Sequence, residues 1–315
     1  MKIARTPFTM KALIFLLLLT LTASKSLANE VKVTKDVIYG TGVITQLSSS
    51  GTQDEKQIVK TMVANLTLDV YQPVGIEGKR AGILLVHGGG WFSGDKADKG
   101  YVEVCQYLAT EGFAVFSVNY RLVPKARYPA QLDDVQRAVR WVRSHAEEYS
   151  VDVKRIGAVG DSAGGHLVSL LGTRDTRDNK DEALKAYSSK VQCVVDLFGP
   201  VDFLADNNSK LPGIAESLVT NFFGQKRDVA LDLYKEGSPI TYVNKESAHF
   251  LIMHGDKDPL VPLTQSREFK AALDKAGNET NLIIMSNDGH GFRLPENKQK
   301  QKTEMIAFFR KWLNP

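Results

Sequence analysis

From about residue 81 to its C-terminus the chain alternates short apolar runs with amphipathic helical patterns, and few architectures accept such a pattern. The runs are Gly82-Ile-Leu-Leu-Val86, Phe113-Ala-Val-Phe-Ser-Val118, Arg155-Ile-Gly-Ala-Val159, residues 191–198, 249–253 and 282–285. Near-continuous apolar runs this short suit strands buried on both faces, the mark of a parallel sheet. Parallel strands need crossovers, and helical patterns lie between the runs. The clearest follows Pro129, a residue suited to a first helical turn. There Leu132, Val135, Val139, Val142 and Ala146 recur at spacings of three and four, giving one apolar face. Further helices are predicted over residues 102–110, 163–171, 266–276 (ended by Gly277) and 299–313. Together these predict an α/β fold, a doubly wound, mostly parallel sheet with helices on both faces.

Two stretches depart from the pattern. Residues 30–75 alternate weakly, which predicts an antiparallel hairpin at the sheet edge. Residues 203–247 are too long for a plain crossover and carry Phe222, Phe223, Tyr234 and Tyr242. Surface helices and a small cap or lid insertion over a pocket are both open readings there. No Pro/Gly/Ser-rich linker divides the chain, so residues 29–315 read as one domain.

With 315 residues, 43% of them hydrophobic, 25 Gly and 2 Cys, the composition is that of a globular protein; collagen, disordered chains and disulfide scaffolds are excluded. The formal charge of +4 is confined to the start, where Lys2, Arg5, Lys11 and Lys25 precede any acidic residue. Removing those four from 40 basic residues leaves 36, against 36 acidic, so no nucleic-acid or anionic-lipid partner is expected. The same segment reads as a secretory signal peptide over residues 1–28. A basic start, an uncharged Leu-rich run over 12–23 and Ser26-Leu27-Ala28 predict cleavage after Ala28. The run falls short of the ~20 residues that span a bilayer, so a secreted or periplasmic protein with no remaining membrane anchor is expected. Cys105 sits in a helical pattern and Cys193 in a strand-like one, which predicts two buried free thiols rather than a disulfide. No Cys/His spacing suits a metal, and none is expected.

Gly160-Asp-Ser162-Ala-Gly164 fits G-x-S-x-G between a predicted strand and a predicted helix, the setting of a nucleophile elbow. There a tight turn strains the Ser and exposes its Oγ, and the helix N-terminus behind it favours developing negative charge. His87-Gly-Gly-Gly90-Trp91 follows the residue 82–86 strand, the position of a loop that completes an oxyanion hole; His87 reads as structural. Consecutive glycines let backbone N–H groups converge on a substrate oxygen, where losing one donor costs ~3 kcal/mol. A Ser nucleophile needs a base, and the base an orienting carboxylate. Of six His, His290 in Asp288-Gly-His-Gly-Phe292 is the best base, because it follows a strand's carboxyl end. Asp256 and Asp258, in His254-Gly-Asp-Lys-Asp-Pro-Leu-Val-Pro262, follow another strand in the same way, and chemistry alone leaves both open.

With Asn119-Tyr-Arg-Leu122 these motifs, in this order, resemble an α/β-hydrolase of the esterase kind, in particular the bacterial feruloyl/acetyl-esterase-like and hormone-sensitive-lipase-like carboxylesterases; prolyl-oligopeptidase-type hydrolases are more distant. The resemblance implies Ser162 as nucleophile, Asp258 rather than Asp256 as acid and His290 as base. It further implies the amides of Gly89, Gly90 and Ala163 as oxyanion donors, and no cofactor. Trp91 is expected to line the substrate pocket; Phe92, beside it, is expected in the pocket or, at least as readily, in the core. The expected activity is hydrolysis of short-chain acyl esters or sugar-linked acetyl or feruloyl esters. A peptidase or amidase on the same fold, or a non-catalytic binding protein, are the alternatives.

Overall fold

A computed structural model describes residues 30–48, 58–205 and 213–314. The expected signal peptide, residues 1–28, lies outside them. The chain runs β1 (Val31–Ser48), β2 (Ile58–Pro73), β3 (Arg80–Val86), α1 (Lys99–Thr110), β4 (Ala114–Val118), α2 (Ala130–Ser144), β5 (Val151–Asp161) and α3 (Ala163–Thr173). It continues through β6 (Cys193–Leu197), α4 (Gly213–Phe223), α5 (Leu231–Glu236), a 3-10 turn (Pro239–Tyr242), β7 (His249–Gly255), α6 (Leu263–Lys275), β8 (Thr280–Met285) and α7 (Pro295–Leu313).

One eight-stranded sheet has the order β1-β2-β4-β3-β5-β6-β7-β8, with β3 to β8 parallel and β1 and β2 an antiparallel ribbon on the edge. Every apolar run became a strand, and each helix expected between them is present. Boundaries moved where polar residues hid them: α7 begins at Pro295, ahead of the expected residue 299, because its first turn is polar and carries no apolar period.

Successive residues of the parallel strands feed two cores. Leu84 and Val86 of β3 pack with Leu132 and Val135 of α2, Leu167 of α3 and Phe269 of α6. Ile83 and Leu85 pack with Cys105 and Leu108 of α1 and Ile306 and Phe309 of α7. Cys105 and Cys193 are both buried and free, as expected from their apolar settings.

Strand β3 leads through α1 to β4 on one side, and β5 leads through α3 to β6 on the other. Strand order therefore reverses between β3 and β5, where open α/β sheets place their ligands. The loop after β3 is tied to the edge ribbon by the buried Lys96, whose Nζ lies 2.8 Å from both Asp36 and Asp69. Such a buried charge is costly unless paired, so this clamp fixes the loop's course.

Candidate active site

Ser162 joins β5 to α3 with φ 51° and ψ −116°, a strained conformation for a residue with a Cβ. The turn closes because its neighbours are small. A Cβ at Gly160 would sit 2.5 Å from the Gly164 backbone, and one at Gly164 2.1 Å from the Val86 carbonyl oxygen. The elbow expected from G-x-S-x-G is thus present, with the first turn of α3 behind the hydroxyl.

Ser162 Oγ donates to His290 Nε2 at 2.8 Å, and His290 Nδ1 donates to Asp258 Oδ2 at 2.7 Å. Asp256 is not part of this path; its Oδ1 accepts from Asn287 N at 2.8 Å and caps the neighbouring loop. The Asp258 side chain is fully buried, and its Oδ1 accepts from Leu260 N and Val261 N. A further histidine, assigned no role from the sequence, also meets this carboxylate. His254 Nε2 donates to Val261 O at 2.9 Å and lies 3.3 Å from Asp258 Oδ2, while its Nδ1 accepts from Ser266 Oγ at 2.7 Å. Burial alone would raise the Asp258 carboxyl, but hydrogen bonds from His254, His290 and Val261 hold it well below the usual carboxylate range. The Phe198 ring meets the His290 imidazole edge-on at 4.8 Å and limits its rotation.

The glycine loop after β3 has φ +105° at Gly89 and +61° at Gly90. Side chains are excluded there by space as well: a Cβ at Gly89 would lie 2.2 Å from Ser93 O, and at Gly90 2.9 Å from Leu218 Cδ2. Phe92 N and Ser93 N both donate to Gly89 O, closing the turn. The preceding Gly88 N donates to Tyr101 Oη at 2.8 Å, and that hydroxyl bonds in turn to Asp161. Burial raises the Asp161 carboxyl, a pull that Tyr101, Gly88 and the nearby His290 only partly offset. Tyr101 carried no sequence signal, since it lies on α1 away from every motif. His87 is structural as expected, stacked on Tyr120 at 4.4 Å.

Ser162, His290 and Gly90 open on one cavity of about 60 Å³, walled by Trp91, Phe203, Leu218 and Val219. The last two lie on α4, so part of the 203–247 segment forms a wall of the site. The roles expected of the two aromatics are refined. Trp91 touches the cavity but is itself a core residue, 3% exposed, stacked on Phe222 at 4.2 Å with its Nε1 donating to His166 Nδ1. Phe92, placed by the sequence in the pocket or the core, is 57% exposed on the other side of the loop. The positive φ of 59° at Trp91 turns the indole inward and the next side chain out. Among the described residues no cluster of His, Cys, Asp and Glu is arranged to hold a metal ion, and no helix is long and apolar enough to cross a membrane.

The likeness to known proteins runs across the same region. The chain is 29% identical to the esterase LipC of Mycobacterium tuberculosis, over 77% of this chain and 61% of that protein. It is 32% identical to LipQ of the same organism, over 72% of this chain and 54% of that protein, so it spans little more than half the length of these curated relatives. A solved structure of a truncated carbohydrate esterase from gut microbiota superposes with a TM-score of 0.73 at 28% identity, covering 93% of this chain and 99% of that one. The BD-FAE family model matches residues 68–273, a stretch holding β3 to α3, Ser162 and Asp258, and on that match the chain belongs to the BD-FAE family, built on the α/β-hydrolase fold.

Proposed function

We propose that the protein is a serine carboxylesterase that removes short acyl groups, sugar-linked acetyl groups foremost, through an acyl-enzyme. The observation that carries the reading is the unbroken hydrogen-bond path from Ser162 Oγ through His290 to Asp258, opening on the Gly90 loop.

In the first half-reaction His290 Nε2 takes the Ser162 proton as Oγ attacks the ester carbonyl. The developing oxyanion is received by the amides of Gly89, Gly90 and Ala163. Asp258 keeps the proton on His290 Nδ1 and stabilises the imidazolium. The alcohol departs with the proton from Nε2; water then enters by the same route, and the acid is released.

The size of the cavity supports a short acyl group. An apolar cavity of ~150 Å³ takes up benzene, whereas the space beside Ser162 is about 60 Å³. Acetyl to butyryl groups suit it better than a feruloyl ring. A sugar alcohol is favoured by the likeness to a carbohydrate esterase over nearly the whole chain. The basic, Leu-rich leader over residues 1–28 supports export, which would bring the enzyme to such substrates.

The test is a p-nitrophenyl ester series from acetate to octanoate with wild type, Ser162→Ala and Leu218→Ala. Wild type is expected to prefer acetate to butyrate, Ser162→Ala to lose turnover, and Leu218→Ala to shift preference toward longer chains. Activity persisting in Ser162→Ala, or none with a folded wild type on any ester, overturns the reading.

A further inference from the structure

Where the chain leaves the catalytic cavity after Trp91, Phe92 enters a second and larger depression of about 440 Å³. Its floor and walls come from Ile44 and Leu66 of the edge ribbon, Phe92, and Leu122 of the loop after β4, with Asn65 and Lys125 on its rim. Its volume falls in the range of clefts that hold small ligands, which the catalytic cavity does not reach.

The walls are held in place before any ligand arrives. Thr45 N donates to Lys125 O at 2.8 Å, fastening the ribbon to the loop. Arg121 forks onto the buried Asp134 and also donates to Val43 O at 3.1 Å. Asn119 accepts from Lys96 N at 2.7 Å and donates to Asp95, locking the turn that follows Phe92. Nothing in this arrangement covers the Phe92 ring, which remains 57% exposed although the neighbouring Trp91 is buried.

The position of Phe92 is set by the chemistry next door. Its N–H donates to Gly89 O at 3.1 Å, in the turn that shapes the oxyanion loop. Two Cα steps of 3.8 Å each keep its Cα within ~7.6 Å of that of Gly90. The small apolar cavity is lined by Trp91 and the larger cleft of mixed character by the next residue, Phe92, and Val123 N donates to Trp91 O at 3.0 Å, so the two adjoin the same loop. That asymmetry matches an ester with a small acyl part and a bulky alcohol part bearing both apolar faces and hydroxyls. A saccharide has this make-up: C–H groups line the faces of a pyranose, and hydroxyls line its edge. An exposed aromatic face receives the first, and rim groups such as Asn65 and Lys125 the second.

Resting on the esterase reading above, we infer that the Phe92 cleft is a subsite for a saccharide unit next to the one that carries the acyl group, with Phe92 as its specificity-determining platform. Phe92 is exposed and contributes little to the core, so its replacement leaves the fold intact.

The experiment compares kcat/KM of wild type, Phe92→Ala and Phe92→Trp on p-nitrophenyl acetate and on acetylated xylo-, cello- and manno-oligosaccharides. Losing the burial of one aromatic ring predicts that Phe92→Ala lowers kcat/KM on at least one acetylated oligosaccharide about tenfold more than on p-nitrophenyl acetate, with the loss in KM. Phe92→Trp restores most of it. Parallel changes on the two substrate types overturn the subsite. A wild type that hydrolyses p-nitrophenyl acetate but none of the acetylated saccharides also overturns it, while leaving the esterase reading in place. Failure on every ester sinks the esterase reading first.

Discussion

His254 Nε2 lies 3.3 Å from Oδ2 of Asp258, so the carboxylate that faces His290 is held from a second side by another imidazole. His254 is itself fixed at both nitrogens, by Val261 O and Ser266 Oγ. The grip keeps the Asp258 carboxylate pointed at His290 Nδ1. Deleting a hydrogen bond to a buried charged group costs ~1.5–3 kcal/mol. His254→Phe is therefore expected to lower kcat about tenfold with KM little changed. The urea midpoint should fall with it, whereas a folded variant with unchanged kcat would show that His254 only packs.

Asp256 and Asp258 should separate sharply in activity. Asp258→Asn keeps the shape but removes the charge that sets the His290 tautomer, and kcat should fall by ~10³–10⁴-fold. Asp256→Asn removes only an exposed charge, its amide oxygen still able to accept from Asn287 N, and should change kcat less than about threefold. Steady-state kinetics of the two variants with p-nitrophenyl acetate checks both.

Strain at the elbow predicts an inverse relation between stability and activity. With φ 51° and ψ −116°, Ser162 holds a conformation costing ~1–3 kcal/mol that Ala shares and Gly escapes. Glycine's greater freedom in the unfolded chain takes back ~0.5–1 kcal/mol. Ser162→Gly should thus be about 1 kcal/mol more stable than Ser162→Ala by chemical denaturation, both variants being inactive.

His166 gives the fold a dependence on pH. Burial lowers its pKa to about 4 from the ordinary 6.5, with the Gly237 carbonyl opposing the shift. Between those values the unfolded chain takes up a proton that the folded protein refuses. Stability should fall by up to ~1.4 kcal/mol per pH unit as pH drops through this window and level off below it. Urea midpoints at pH 7, 5.5 and 4.5 should show this slope in wild type and a smaller one in His166→Gln. Equal slopes would mean that His166 protonates in the folded state as easily as out of it.

Much of the site was legible because its signals are local. Ser162 was marked by small residues at a strand-to-helix turn, and His290 by its place just past a buried strand. The choice between Asp256 and Asp258 was not legible, since both follow β7 within one turn. Only the side-by-side pairing of β7 and β8 brings His290, 32 residues further on, against one of them. Trp91 and Phe92 stand in the same apolar motif, yet one is core and the other surface, because the turn after Gly89 carries the Trp91 indole onto Phe222, a residue 131 positions away, and leaves the next side chain in solvent.

The alternation of strands and helices, the edge hairpin, the two glycine-bearing turns and the order Ser162, Asp, His290 are all written along the chain. Periodicity and turn chemistry act between residues a few positions apart, so they can be read along the chain. Tertiary structure decided which carboxylate completes the path, which imidazole and tyrosine support it, which aromatic meets solvent, and that α4 walls the cavity. Those outcomes rest on contacts between distant segments. The Ser162–His290 bond spans 128 residues, and the Lys96–Asp36 bond ties a central loop to the edge ribbon. Their geometry exists only once sheet order has made neighbours of strands that the chain keeps apart.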